Sequence, residues 1–233
     1  SASAASMNIT GEAVTFTGEN GSLYQPVYGT DDDLVLYLPF SENSLDTSTQ
    51  FDRSPYGNDG TLTGGTICNS TTGKYGNGCY FDGNDDYINT SFIPNPVIGT
   101  DAPFTIEVWA KPKDISKSKF ILGSRDSAGA DRFYIRHSSS QWGWGIGDTN
   151  ANTAPATNNV WQHIAVVFDA TNVITYVNGV EEDNRAHGGT AEYDATARMY
   201  IGANIQGNTQ DSFFNGTIDE VRIYKRALTA DEI

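Results

Sequence analysis

Basic residues are scarce in this chain of 233 residues: 14 Lys and Arg stand against 29 Asp and Glu, a formal net charge of −15. A polymer of phosphates selects Lys and Arg, so nucleic acid and anionic membrane surfaces are excluded as partners. The balance fits a surface-exposed protein, or one that collects divalent cations. No apolar run approaches membrane-spanning length, which excludes insertion by a helix. The three histidines are scattered at 137, 163 and 187, and there are two cysteines, Cys68 and Cys79. Zinc wants four clustered ligands, so a zinc centre is not indicated. There is no G-x-S-x-G elbow, no H-E-x-x-H and no phosphate-binding loop. No segment longer than a turn carries a helical period.

What remains is rich in Gly, Thr, Asn and aromatic residues, a composition that suits short strands joined by turns. The length allows one large β domain or two small ones, and a chain of this size can bury roughly 70% or more of its unfolded surface. Leu34 to Phe40 reads as a strand. So do Phe104 to Lys111, Lys119 to Gly123, Arg132 to Arg136, Gln141 to Gly147, Gln162 to Asp169 and Val173 to Val177, then Arg198 to Gly202 and Thr217 to Tyr224. In Phe104 to Lys111 the residues Phe104, Ile106, Val108 and Ala110 face one way, and Thr105, Glu107 and Trp109 the other. Asn178-Gly179 is a hairpin turn. Residues 1–33 stand apart as an extension or linker, with a strand at Ala13 to Thr17 and another at Leu23 to Tyr28. The chain begins at Ser1 and stops on a T-x-x-E capping signal, Thr229 to Glu232, so it reads as part of something longer.

The closing stretch, FNGTIDEVRIYKRALTADEI, carries both chemistry and kinship. Strict alternation from Thr217 places Thr217, Asp219, Val221 and Ile223 on one face and Ile218, Glu220, Arg222 and Tyr224 on the other. Asp219 then stands on an otherwise apolar face and needs a cation, a metal or several N–H donors. The same stretch resembles the closing strand and turn of the laminin-G-like, concanavalin A-like jelly-roll modules. "LVLYLPFSEN", "FDRSPYGNDGTL", "GKYGNGCYFDGNDDYI", "FTIEVWAKP" and "WQHIAVVFD" resemble further segments of that family, in the expected order from about Leu34 to Ile233. The many short strands independently argue an all-β, antiparallel two-sheet sandwich. The resemblance implies a concanavalin A-like jelly roll over residues 34–233.

Calcium takes six to eight oxygens. The resemblance implies a structural calcium with Asp52, Asn58 and Asp219 as ligands and Glu42 as a weaker one. The alternative is that Asp52 and Asn58 bond their own turn and Asp219 receives backbone N–H groups. Asp82, Asp85 and Asp86 form a second acidic turn, read as a turn rather than as the face-bound calcium of the pentraxin branch. Trp142 and Trp144 lie two apart and share a face. Gly143, Gly145 and Gly147 leave the other face nearly bare. With Tyr134 and Arg132, and with Arg136 or His137 as further polar neighbours, the two indoles would make an exposed sugar platform. The alternative is a core role, the commoner fate of large aromatics in sandwiches. Cys68 and Cys79 bracket a turn-rich loop. A disulfide there would stabilise by about 3 kcal/mol, the alternative being two buried thiols.

Glycosidases of the laminarinase type carry E-x-D-x-E strands, whereas Asp219 and Glu220 are adjacent and would point apart. The expected function is therefore a non-catalytic recognition or adhesion module for a glycan or another cell-surface ligand. A disulfide implies an extracellular or cell-surface setting, and the sequons at Asn8, Asn20, Asn69, Asn89 and Asn215 are compatible with it. The second reading is a structural subunit of a surface layer, stalk or filament, assembled by strand addition between copies through Ala13 to Thr17.

Overall fold

The computed structural model describes residues 31–40, 48–69, 73–125, 131–191, 193, 195–204 and 213–233, together with the backbone of three strands before residue 31. The chain divides into two compact units, residues 1–31 and 32–233. In the first, β1 (Asn8–Thr10), β2 (Ala13–Thr17) and β3 (Leu23–Tyr24) make an antiparallel sheet with β2 in the middle.

The second unit is a sandwich of two antiparallel sheets. Its elements follow as β4 (Leu34–Leu38), β5 (Thr49–Gln50), β6 (Gly60–Thr63), β7 (Ile67–Asn69), β8 (Gly78–Asp82) and β9 (Tyr87–Thr90). After a five-residue helix α1 (Pro94–Ile98) come β10 (Phe104–Pro112), β11 (Lys119–Arg125), β12 (Asp131–Ser138), β13 (Gln141–Ile146) and β14 (Thr149–Pro155). The series ends with β15 (Gln162–Phe168), β16 (Asn172–Val177), β17 (Val180–Ala186), β18 (Tyr200–Ile201) and β19 (Asn215–Tyr224). Sheet I has the order β17-β16-β15-β10-β19-β8-β7, with β4 also paired to β19; sheet II has the order β14-β13-β12-β11-β18-β9-β6-β5. Asn178 and Gly179 both take positive φ, 53° and 77°, and form the turn between β16 and β17.

The core lies between the sheets. Phe104, Ile106, Val108 and Ala110 of sheet I meet Phe133, Ile135, Trp142 and Trp144 of sheet II. Thr105 and Glu107 face away from that core, as alternation requires. They are nonetheless buried, because the C-terminal segment folds back over this part of sheet I. Thr105 Oγ1 donates to the carbonyl of Arg226 and accepts from the N–H of Leu228, both at 2.9 Å. Ala227 and Ile233 pack with Ala165, Val167 and Tyr176 on the same outer surface. Thr229 and Glu232 make half of the capping box that T-x-x-E announces: Glu232 Oε2 accepts from Thr229 N at 2.8 Å and from Thr229 Oγ1 at 3.0 Å, while Glu232 N donates to the Thr229 carbonyl.

Strict alternation fails in β19. Trp109 pairs with Asp219 but Glu107 pairs with Arg222, so two residues of β19 oppose Val108 alone. This is a β-bulge, and Glu220 takes φ 53° to make it. Beyond the bulge the faces swap. Ile218, Val221 and Ile223 point into the core at 0% exposure, while Thr217, Asp219, Arg222 and Tyr224 lie on the outer side. Asp219 is thus not on an apolar inner face. It sits where β8 stops pairing with β19 at Ile218 and β4 begins at Val221.

Candidate functional site

The acidic positions resolve into hydrogen-bonded turns. Asp52 is saturated: Oδ1 accepts from the N–H groups of Tyr37 and Ser54, and Oδ2 from Ser54 Oγ and Asn58 N, at 2.7–2.8 Å. A carboxylate offers about four lone-pair sites, and all four are used. Asn58 donates its amide to the carbonyl of Val35 at 2.9 Å. Asp219 Oδ2 accepts from Lys74 N and Tyr75 N at 2.8 and 2.9 Å, and Oδ1 from Glu220 N at 2.8 Å. Burial pushes its pKa up to about 6, while the three N–H donors pull the other way. Asp52 and Asp219 are held by different loops, and Glu42 lies outside the described residues. The residues present do not fit a calcium ion bridging these loops, because Asp52 has no lone pair left to give.

Asp82, Asp85 and Asp86 do bring carboxylate oxygens within 4.8 Å of one another. They too serve a turn. Asp82 accepts from the N–H and side-chain amide of Asn84, and Asp82 N donates to Asp86 Oδ2, all at 2.8 Å. The Asn84 N–H holds the Asp82 carboxyl below its ordinary value, and burial raises that of Asp86.

The sugar platform expected from Trp142 and Trp144 is corrected. Both indoles are core, at 0% and 2% exposure. Trp142 Nε1 donates to Gln162 Oε1 at 3.2 Å. The pair does share a face, but it is the inner one, which a period of two cannot distinguish from the outer. Tyr134 lies on the opposite, outer face, and it explains Gly145; a Cβ at Gly143 would instead meet Ala151 and Asn152, and one at Gly147 the carbonyl of Thr190. A Cβ at Gly145 would come within 2.0 Å of Tyr134 Cε1, so the ring lies across the place a side chain would fill. Phe120 meets that ring edge-on at 5.1 Å, and the Arg136 guanidinium stands 5.2 Å from its centroid. His137 points inward; burial pushes its pKa down to about 4. Arg132 belongs to β12, and its side chain lies outside the described residues.

Cross-strand partners share a face. A single row can therefore be followed across all of sheet II: Thr49, Thr61, Asn89, Tyr200, Gly123, Tyr134, Gly145, Asn150. Its neighbours Ile88, Ile201, Leu122, Ile135 and Trp144 are the buried inner set, which makes this row the outer one. Beside it lie Tyr87, whose ring meets Tyr200 edge-on at 5.7 Å, and Arg136 and Asn152. The Asn204 side chain covers Gly123, where a Cβ would stand 2.6 Å from its Cγ. In a chain with 29 acids the row holds none. Hydroxyls lie at one end, and Gly123 and Gly145 separate Tyr200, Tyr134 and Asn150. Tyr200, Asn89 and Asn152 are half-buried, and Thr61 and Asn150 are exposed. Sequence reasoning found Tyr134 but missed Tyr200, Asn89 and Asn150, which meet only through strand pairings distant in the chain.

Residues 82–233 match the family model described as the concanavalin A-like lectin/glucanases superfamily. The chain belongs to this superfamily. The two-sheet sandwich is its fold, as the resemblance implies. No curated protein matches the chain in sequence. Solved structures similar to this superfamily member include domain 4 of an extracellular arabinanase from Geobacillus stearothermophilus, in complex with arabinotriose. It has 22% identity and a TM-score of 0.65 over 86% of this chain and 96% of that one. The binding domain of Paraclostridial Mosquitocidal Protein 1 is similar at 16% identity and a TM-score of 0.67, over 87% of this chain and 51% of that one. The ligand-binding domain of botulinum neurotoxin serotype D, in complex with N-acetylneuraminic acid, gives 15% identity and a TM-score of 0.64, over 87% and 50%. The chain spans about half the length of those toxin binding domains. At these identities the likeness establishes the fold.

Proposed function

We propose that this domain is a non-catalytic carbohydrate-binding module of an extracellular or cell-surface protein, and that the outer row of sheet II contacts the sugar. The acid-free row of rings, amides and hydroxyls carries this reading. The half-buried Tyr200 ring offers an apolar face to the C–H side of a sugar and a hydroxyl to its edge, while Tyr134, at 3% exposure, packs beneath Phe120 and Arg136. Each Asn amide supplies donors and an acceptor for neighbouring sugar hydroxyls. Structures of similar fold hold arabinotriose or N-acetylneuraminic acid, which supports a glycan as the ligand class. The Cys68–Cys79 disulfide supports an oxidising setting.

Catalysis finds no support at the acid pair Asp219-Glu220 of the closing strand. Asp219 is occupied by backbone N–H groups, and Glu220 accepts from Arg222 and from Tyr37. The filament reading receives less support: β1 pairs Ala13–Thr15 on one edge of the strand and β3 pairs Phe16–Thr17 on the other.

Titration calorimetry against neutral oligosaccharides, arabinotriose included, tests the proposal. Binding is expected, and Tyr200→Ala with Asn152→Ala should weaken it by at least about tenfold with the circular dichroism spectrum unchanged. Binding that both variants leave intact, or no binding across the panel at millimolar sugar, would remove this site.

A further inference from the structure

The opposite sheet carries a second surface of different chemistry, on the outer side of β7, β8, β19 and β10. Register brings Ile67, Tyr80, Thr217 and Lys111 into one row, and Asp219, Trp109 and His163 into the next. Over this surface stands the segment Gly73-Lys74-Tyr75. The Asp219 carboxylate holds it by the backbone N–H groups of Lys74 and Tyr75. The disulfide between the paired residues Cys68 and Cys79 fixes its base. The Tyr75 ring meets Trp109 edge-on at 5.6 Å, and Lys74 Nζ lies 4.4 Å from the Trp109 centroid. Gly73 admits no side chain, since a Cβ there would stand 2.4 Å from the backbone of Asn77.

This anchored segment presents its ring to water. Tyr75 is 57% exposed and Ile67 is 54% exposed. An anchored ring left open beside the exposed Ile67 offers an apolar contact surface. The lysines add a sign. Lys74, Lys111 and Lys113 surround the rings, and Lys113 Nζ donates to Tyr80 Oη at 3.2 Å while lying 5.2 Å from that ring's centroid. Among the described residues none of the three has a carboxylate partner. By contrast, Arg185, Arg222 and Arg226 are paired with Asp183, Glu220 and Glu232. Two acids beneath this face are withdrawn: Asp219 is at 0% exposure, and Glu107, at 6%, faces His163 across 3.4 Å. A third, Asp82, lies two residues beyond Tyr80 on β8 and accepts from Asn84. In a chain of net charge −15, three lysines without a carboxylate partner among three aromatic rings make a local concentration of positive charge.

We propose that this surface binds an acidic saccharide: the exposed Tyr75, backed by Trp109, takes the apolar face of a sugar ring, and Lys74, Lys111 and Lys113 take carboxylate or sulfate groups. Lysine ammonium groups suit this role because each acts as a mobile point charge that follows anions spaced along a chain. The negative charge elsewhere would repel the same ligand, confining it to this spot. The site is separate from the sheet II row and stands or falls apart from it.

The test is calorimetry on the full chain with an oligogalacturonate, a sulfated oligosaccharide and a neutral oligosaccharide of equal length. At least one anionic probe is expected to bind, and its identity names the anionic group. Affinity should fall several-fold between roughly 50 and 300 mM NaCl, as ammonium–anion contacts require. Tyr75→Ala, and separately Lys113→Gln at an exposed position that cannot disturb folding, should each weaken the anionic probe by about fivefold or more. Tyr200→Ala on sheet II should leave it unchanged. Equal binding of the neutral probe, indifference to salt, an unchanged affinity in Lys113→Gln, or no binding of either anionic probe at millimolar concentration would overturn the proposal. Loss with Tyr200→Ala but not Tyr75→Ala would place the ligand on the other sheet.

Discussion

Replacing Asp219 by Asn sets two opposed effects against each other, and pH separates them. Burial raises the carboxyl to about 6 from an ordinary value of 3.8. The folded state therefore holds its proton more tightly than the unfolded chain does. The stability from this group is fully present below about 3.8 and is lost as pH rises through about 6. Two pH units at about 1.36 kcal/mol each bound the loss at about 3 kcal/mol, and partial solvent screening reduces it to about 1–2 kcal/mol. Asn does not titrate and lacks this term. It also has one acceptor oxygen where the carboxylate serves Lys74, Tyr75 and Glu220, so it leaves at least one buried N–H unmatched, at about 1–3 kcal/mol. Asp219→Asn should thus be destabilised at every pH, and its deficit against wild type should grow by about 1–2 kcal/mol from pH 7 to pH 4.5. Urea unfolding at the two pH values, followed by tryptophan fluorescence, measures it. His137 titrates alike in both proteins and cancels from the difference. A deficit that shrinks toward pH 4.5 would refute the reasoning. It would mean that the three N–H donors outweigh burial and hold the carboxylate ionised.

Further outcomes follow from other sites. His137, depressed to about 4 by burial, contributes stability above about 6.5 that is lost as pH falls toward 4; His137→Phe should shift the acid-unfolding midpoint downward. EDTA should leave the melting temperature unmoved and elemental analysis should find no stoichiometric metal, while Asp52→Ala, which orphans four donors, should cost about 2–4 kcal/mol with or without chelator. Gly145→Ala drives a methyl into the Tyr134 ring and should cost about 1–3 kcal/mol in a thermal melt, together with any sheet II sugar binding. The Cys68→Ser, Cys79→Ser double variant should lose about 3 kcal/mol.

Much of the fold was legible because inward positions are apolar at a spacing of two, as in Phe104 to Ala110. The edge strands β14 and β17 were not. TNANTAP and VEEDNRA lack that alternation, since an edge facing water needs no apolar set and gains from charges that discourage further pairing. The bulge at Glu220 was hidden because the residue with positive φ is a glutamate, and no glycine marks the place. That one residue moved Arg222 and Tyr224 to the side of Asp219. The cysteine pair was readable from its bracketing of a loop, and the structure bonds it. The direction in which Trp142 and Trp144 point was not readable, because alternation fixes a pair's common face without saying which face is wet. The outer row of sheet II joins residues from 49 to 200, and only strand order brings them together.

The position of β19 has a consequence for how the protein is made. It is the last strand in the sequence, yet it lies inside sheet I, bonded to β10 on one side and to β8 and β4 in succession on the other. Until residues 215–224 leave the ribosome, β10 has no route to β8 or β4, and sheet I exists only as separate pieces. The first half of the chain must wait, its Leu36, Leu38 and Phe81 without their full cover. Closure of sheet I then waits for residues 215–224, and such long-range closure is slow and exposed to aggregation. A nascent chain stalled before Asn215 should stay sensitive to protease, and one stalled after the last residues have cleared the exit tunnel should not.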